Sequence, residues 1–125
     1  MENKSNIPVF AFYGSLRRGM ENHALHVRHL KYLFSARLSG FKLYSRGQFP
    51  AAVRSSATDS IVVEVFRIDD KPTSEMIHKL EMDEGYYVEE IRIGETVATI
   101  YLLRAPGNYQ PVDSGDWVTF FRETH

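Results

Sequence analysis

The chain contains no cysteine, which removes disulfide bonding, thiolate catalysis and cysteine-ligated zinc together. It also lacks an excess of charge of either sign: 15 Lys and Arg stand against 16 Asp and Glu, a formal net charge of -1. No tract of Lys or Arg supplies a local attraction for a phosphate backbone either, so nucleic acid is not an expected partner. No apolar run approaches the roughly 20 residues that span a bilayer. The opening Met-Glu-Asn-Lys-Ser-Asn-Ile-Pro lacks the charged-then-apolar order of a secretory leader. A cytoplasmic protein with no membrane partner is expected. Repeats, linkers and low-complexity segments are absent too, and 43% hydrophobic with 25% charged residues is ordinary globular composition. One domain over residues 1–125 is therefore expected.

Val9-Phe10-Ala11-Phe12-Tyr13 is a β-prone apolar run stopped by Gly14, the pattern of a buried strand. Over residues 22–34, Leu25, Leu30 and Leu33, with Val27 and Phe34 nearby, recur at helical spacing behind Asn22 as an N-cap, which predicts a first helix. A second strand is expected over 36–44, and an irregular loop over 45–53, where Gly47 and Pro50 break the pattern. The β-branched run at 60–68 reads as a central strand. After Pro72, residues Met76, Ile77 and Leu80 share one helical face, in a helix that ends before Gly85. Residues 86–93 and 96–103 form a hairpin around Gly94-Glu95. Ser114-Gly115-Asp116 caps a last short turn that carries Trp117, Phe120 and Phe121 onto the core. This order does not alternate regularly and points to an α+β domain with a mixed, mostly antiparallel, barrel-like sheet and two main helices.

Two segments offer chemistry. In Tyr13-Gly14-Ser15-Leu16-Arg17-Arg18-Gly19, small residues follow a buried strand. Successive amides there can converge as a nest for an anionic group, or the glycine can simply end the strand. The spacing lacks both G-x-G-x-x-G and G-x-x-x-x-G-K, so no nucleotide is implied. In Leu80-Glu81-Met82-Asp83-Glu84-Gly85-Tyr86-Tyr87, three acids crowd a helix C-terminus that the helix dipole makes unfavourable for them. They are either a solvated acidic end or a site. His23, His26 and His29 follow i, i+3 spacing, but three ligands along one straight helix do not close a tetrahedral site. Neither metal nor cofactor is expected. Ser15 lacks the G-x-S-x-G elbow of a nucleophile. Glu64, mid-strand in an apolar run, is either an outward residue or a paired interior carboxylate.

Together these segments resemble the paired signature of the gamma-glutamylcyclotransferase-like family, which includes the AIG2-like proteins, and the likeness is strongest to its short bacterial branch. Gly40-Phe41-Lys42-Leu43-Tyr44, Phe49-Pro50-Ala51-Ala52-Val53, Val63-Glu64-Val65-Phe66-Arg67-Ile68-Asp69 and Ser114-Gly115-Asp116-Trp117 extend the resemblance along nearly the whole chain. Two departures are Glu81, where an aspartate is usual, and Glu89-Glu90, where an arginine is common. The resemblance implies that the backbone of Gly14-Ser15-Leu16 binds a small ligand with a gamma-glutamyl-like group and that Glu84 is the acid/base. Tyr13, Pro50 and Tyr87 would line the cavity. It further implies cyclisation of a gamma-glutamyl amine or amino acid to 5-oxoproline with release of the amine, or a non-catalytic carboxylate- or amine-binding module on the same fold. Burial beside Tyr13 and Tyr87 is expected to raise the pKa of Glu84, whereas Glu81, three residues back, is expected to face elsewhere.

Overall fold

A computed structural model describes residues 8–125. Strand β1 (Val9–Phe12) occupies the middle of a five-stranded sheet ordered β2 (Lys31–Ser39), β5 (Ser60–Arg67), β1, β7 (Thr96–Leu102), β6 (Tyr87–Ile93). It runs antiparallel to β5 and parallel to β7, and the other pairs of this sheet are antiparallel. A smaller antiparallel sheet is ordered β4 (Pro50–Arg54), β3 (Phe41–Ser45), β8 (Gln110–Val112). The Leu103 amide, just past β7, donates to Ala52 O of β4 at 2.9 Å, which holds the two sheets side by side without closing a barrel.

The period-two alternation of β1 divides the core. Ala11 and Tyr13 face a cluster with Leu43, Ile61, Val63, Ile100 and Trp117, whereas Phe10 and Phe12 face one with Phe66, Ile77 and Tyr86. A fully buried run of this kind needs apolar side chains on both faces, and the sequence supplies them. Helix α2 (Lys71–Asp83) begins at Asp70, whose carboxylate accepts from the Thr73 amide at 3.1 Å, with Pro72 in its first turn. Helix α3 (Trp117–Thr124) begins at Asp116, which accepts from the Thr119 amide at 3.3 Å. Its Trp117 is wholly buried and stacks with Phe120 and Phe121.

Five local expectations need correction. The helix over 22–34 is only α1 (Glu21–Leu25) and a 3-10 turn at Val27–His29, after which β2 starts at Lys31. Its N-cap is Met20 rather than Asn22. The strand over 36–44 is two strands, β2 and β3, that turn at Gly40. The irregular 45–53 stretch contains β4, because Pro50 stands first in an edge strand, where its missing N–H breaks no ladder. On α2, Thr73, Ser74 and Ile77 are buried, while Met76 and Leu80 are exposed.

Candidate functional site

Strand β1 ends against a cavity of about 110 Å³. Its floor is aromatic and buried: Phe12, Tyr13, Tyr86 and Tyr101. Its rim carries the exposed Phe49 and Leu80, and Ala11, Gly14, Ser15, Leu16, Asn22, Pro50, Glu81 and Glu84 complete the lining. Tyr13, Gly14, Ser15, Leu16, Pro50 and Glu84 are thus gathered around one space from separate parts of the chain.

The loop after β1 is a tight turn. The Arg17 amide donates to Gly14 O at 2.9 Å, and the His23 amide at the start of the next segment donates to Ser15 O at 3.0 Å. The amides of Ser15 and Leu16, by contrast, donate to no protein acceptor among the described residues. Two unpaired amides at a cavity wall are the donors an anionic ligand group needs. Gly14 has a steric reason to be glycine, since a Cβ there would lie 2.6 Å from Pro50 Cγ. Ser15 Oγ accepts from Asn22 Nδ2 at 2.8 Å, so Asn22 braces the loop from α1.

Hydrogen bonds fix the floor. Tyr13 Oη donates to the Tyr101 carbonyl at 2.6 Å, Tyr86 Oη donates to the Pro50 carbonyl at 2.6 Å, and Tyr101 Oη lies 2.9 Å from His78 Nδ1. Burial raises the pKa of all three phenols, so they stay protonated at neutral pH.

The acidic cluster divides by position. Asp83 is exposed and pairs with Lys79 at 2.8 Å. Glu84 is exposed at the α2 C-cap and borders the cavity mouth. The more sheltered acid is Glu81, whose pKa is raised to about 7, first by burial and then by the charge of Glu84, against the pull of Arg46. The expected burial of Glu84 therefore falls on Glu81. The expectation that the two face apart is also corrected, since residues three apart on a helix are surface neighbours and both line the cavity. Arg46 flanks the pair: its Nη1 donates to Glu84 O at 3.3 Å, and its guanidinium lies 5.3 Å from the Tyr86 ring centroid.

Tyr87 is outside the cavity. It starts β6 with Arg104 4.2 Å from its ring centroid, and Tyr86 takes the place expected of it. Tyr101, Tyr86, Asn22, Phe49 and Leu80 join the lining without having been assigned to the site from the sequence. A tyrosine beside an acidic helix end is the available signal for Tyr86, and none marks Tyr101. His23 packs against Phe66, and His29 Nε2 lies 4.0 Å from Asp70. Among the described residues no group of three or more His, Asp and Glu is placed to hold a metal ion. Of the two readings of Glu64, the structure selects the paired interior carboxylate, bonded to Arg17 and Arg18.

Known proteins share this architecture. PH0828, an uncharacterized protein of Pyrococcus horikoshii, is 28% identical over 117 residues, 94% of this chain and 97% of its own. Its crystal structure superposes with a TM-score of 0.80 over 94% of this chain and 96% of that one. YtfP of Escherichia coli shares the fold at 24% identity and a TM-score of 0.69, over 90% of this chain and 98% of its own. A solved gamma-glutamyl cyclotransferase does so at 20% identity and a TM-score of 0.60, over 83% of this chain and 69% of its own. The family model described as "Gamma-glutamyl cyclotransferase, AIG2-like" matches residues 10–119, a span that takes in the whole cavity, and the chain belongs to that family.

Proposed function

We propose that this cavity cyclises a gamma-glutamyl amine or amino acid, releasing 5-oxoproline and the free amine. One observation carries the reading: two unpaired loop amides and a pair of carboxylates of unlike exposure meet in a single cavity. In such a substrate the α-amine and the γ-carbonyl it attacks belong to one molecule, so no enzyme nucleophile is required. The site has to fold the substrate into a near-attack shape and move protons.

The Ser15 and Leu16 amides take the α-carboxylate, and the aromatic floor excludes water from the folded chain. Glu84 accepts a proton from the α-ammonium. The freed amine adds to the γ-carbonyl carbon, and the C–N bond to the leaving amine breaks as that nitrogen takes a proton from Glu81. The ring nitrogen gives up its second proton to the Glu81 carboxylate so formed, while the proton held by Glu84 passes to the departing amine. Glu81, partly protonated near neutral pH, is the group suited to deliver a proton to the leaving nitrogen. The sheltered Glu81, whose pKa is raised, takes the acid role, and the exposed Glu84 takes the base role.

The test is mass-spectrometric detection of 5-oxoproline after incubation with a panel of gamma-glutamyl amines and amino acids. Glu84→Gln is expected to fold, to bind 5-oxoproline and to lose activity by about 100-fold or more. A wild-type protein that binds 5-oxoproline but releases none from any member of the panel would make the cavity a binding module instead. Near-full activity in folded Glu84→Gln would remove Glu84 from the mechanism.

A further inference from the structure

The turn that carries the two unpaired amides ends in a buried ion network. Glu64 lies on β5 opposite Phe12 of β1 and is only 4% exposed. Its Oε1 accepts from the Arg18 amide at 2.8 Å and from Arg18 Nε at 3.1 Å. Its Oε2 accepts from Arg17 Nε at 3.1 Å. Arg17, 7% exposed, reaches on to Asp116 Oδ1 at 2.9 Å, which is the N-cap of α3. Arg18 then lies over Tyr32 of β2, 3.7 Å from its ring centroid.

A single carboxylate thus grips the loop through a main-chain amide and two side chains, next to the point where β1 is locked in register. Charge placement follows from the same bonds. Both arginines of the loop are drawn away from the cavity, and no Lys, Arg or His is among its lining residues. An anionic ligand there meets dipoles rather than a lining cation, and dipoles act only when correctly aimed. A buried carboxylate that satisfies three donors is costly to disturb, because its loss strands a buried guanidinium. Glu64 does not line the cavity itself.

We infer that Glu64 is a positioning residue: it fixes the backbone from Gly14 to Arg18 so that the Ser15 and Leu16 amides converge on a ligand carboxylate. The inference rests on the proposed reaction only for its choice of ligand.

The test uses Glu64→Gln in the full chain, with 5-oxoproline as the probe. The substitution keeps the side chain's shape, but the amide nitrogen it introduces faces arginine donors and cannot accept from them. The variant is expected to fold, with faster hydrogen exchange at Arg18 and its neighbours than in the wild type. Its affinity for 5-oxoproline should fall by about tenfold or more, as for a misplaced binding group. Any turnover should show a raised KM with kcat and pH profile nearly unchanged, a split that general destabilisation would not produce. A folded Glu64→Gln protein with wild-type loop exchange and wild-type affinity would overturn the inference, even if its melting temperature fell. If the wild type neither binds 5-oxoproline nor turns over any substrate, the proposed reaction fails, and loop exchange alone decides the role of Glu64. Should Glu64→Gln not fold, Arg17→Lys retains the charge but loses the fork that spans Glu64 and Asp116, and is read by the same two measurements.

Discussion

Replacing Glu81 by glutamine should make the protein more stable, and only above a particular pH. The ordinary carboxylate value of 4.5 rises to about 7 at Glu81 because burial and the charge of Glu84 both oppose ionisation, with Arg46 offsetting part of this. A shift of that size corresponds to about 3 kcal/mol, and the open mouth of the cavity reduces it through solvent screening, so about 1–3 kcal/mol is expected. The sign follows from proton counting. Below pH 4.5 the folded and unfolded chains both hold the proton and Glu81 carries no penalty. Between pH 4.5 and about 7 the folded state still holds the proton that the unfolded chain has released, so stability falls as pH rises, and the loss is complete above that window. A glutamine side chain has no such proton to lose. Urea unfolding at pH 4 and pH 8 should therefore show near-equal stability for the two proteins at the lower pH, and an advantage for Glu81→Gln at the higher one. Parallel stability curves would refute the reasoning, because they would mean that Glu81 ionises in the cavity as freely as in the unfolded chain. Activity should move the other way, since a strained carboxylate is the group proposed to deliver the proton.

Three glycine and loop substitutions extend this. Gly14→Val should abolish measurable 5-oxoproline binding while the protein still folds, because its Cβ would sit 2.6 Å from Pro50 Cγ at the cavity wall; titration by NMR checks it, and retained affinity would mean that the loop has room to move. Ser15→Ala removes only the acceptor of Asn22, so affinity should stay within about fivefold of wild type, whereas complete loss would assign the ligand contact to the hydroxyl. Gly115→Ala combines a φ of +71° with a Cβ 2.1 Å from Ser60 O and should cost about 3 kcal/mol or more, measured by thermal unfolding.

Where local pattern and tertiary role agree, the fold is legible in the residues themselves. β1 is apolar on both faces because it is the central strand, α2 starts with Asp70 and Pro72, and the β6–β7 hairpin pairs Ile93 with Thr96 across Gly94-Glu95. The 22–34 segment departs from its expected helix for a definite reason. Leu25 and Val27, which set the helical spacing, are exposed, while Leu30 is buried and Leu33 and Phe34 pack on the core from a strand. Nine residues of β2 pair along β5 with an irregularity between Tyr32 and Phe34, and that slip obscures a period of two. Long-range pairing, invisible to a local window, outweighs the local pattern. Pro50 misleads similarly: it reads as a breaker unless its place at a sheet edge is known.

The site shows a finer limit, set by one residue of parity. Leu80-Glu81-Met82-Asp83-Glu84-Gly85-Tyr86-Tyr87 is recognisable as a site segment, and the cavity does form against it. What the sequence does not reveal is how α2 ends. The Glu81 carbonyl accepts both the Glu84 amide at 3.1 Å and the Tyr86 amide at 3.2 Å. This tight reversal keeps Glu81 and Glu84 on the cavity side and delivers Tyr86, not Tyr87, into the floor. Strand β6 then begins at Tyr87, and its alternation sends that ring under Arg104, against the other half of the core. Helix ends shift by a residue or two for small differences in capping, and one residue of shift exchanges the two tyrosines. Both the sheltered acid and the aromatic floor of this cavity therefore depend on the C-cap of α2, which makes the Glu81 carbonyl a determinant of the site alongside its side chain.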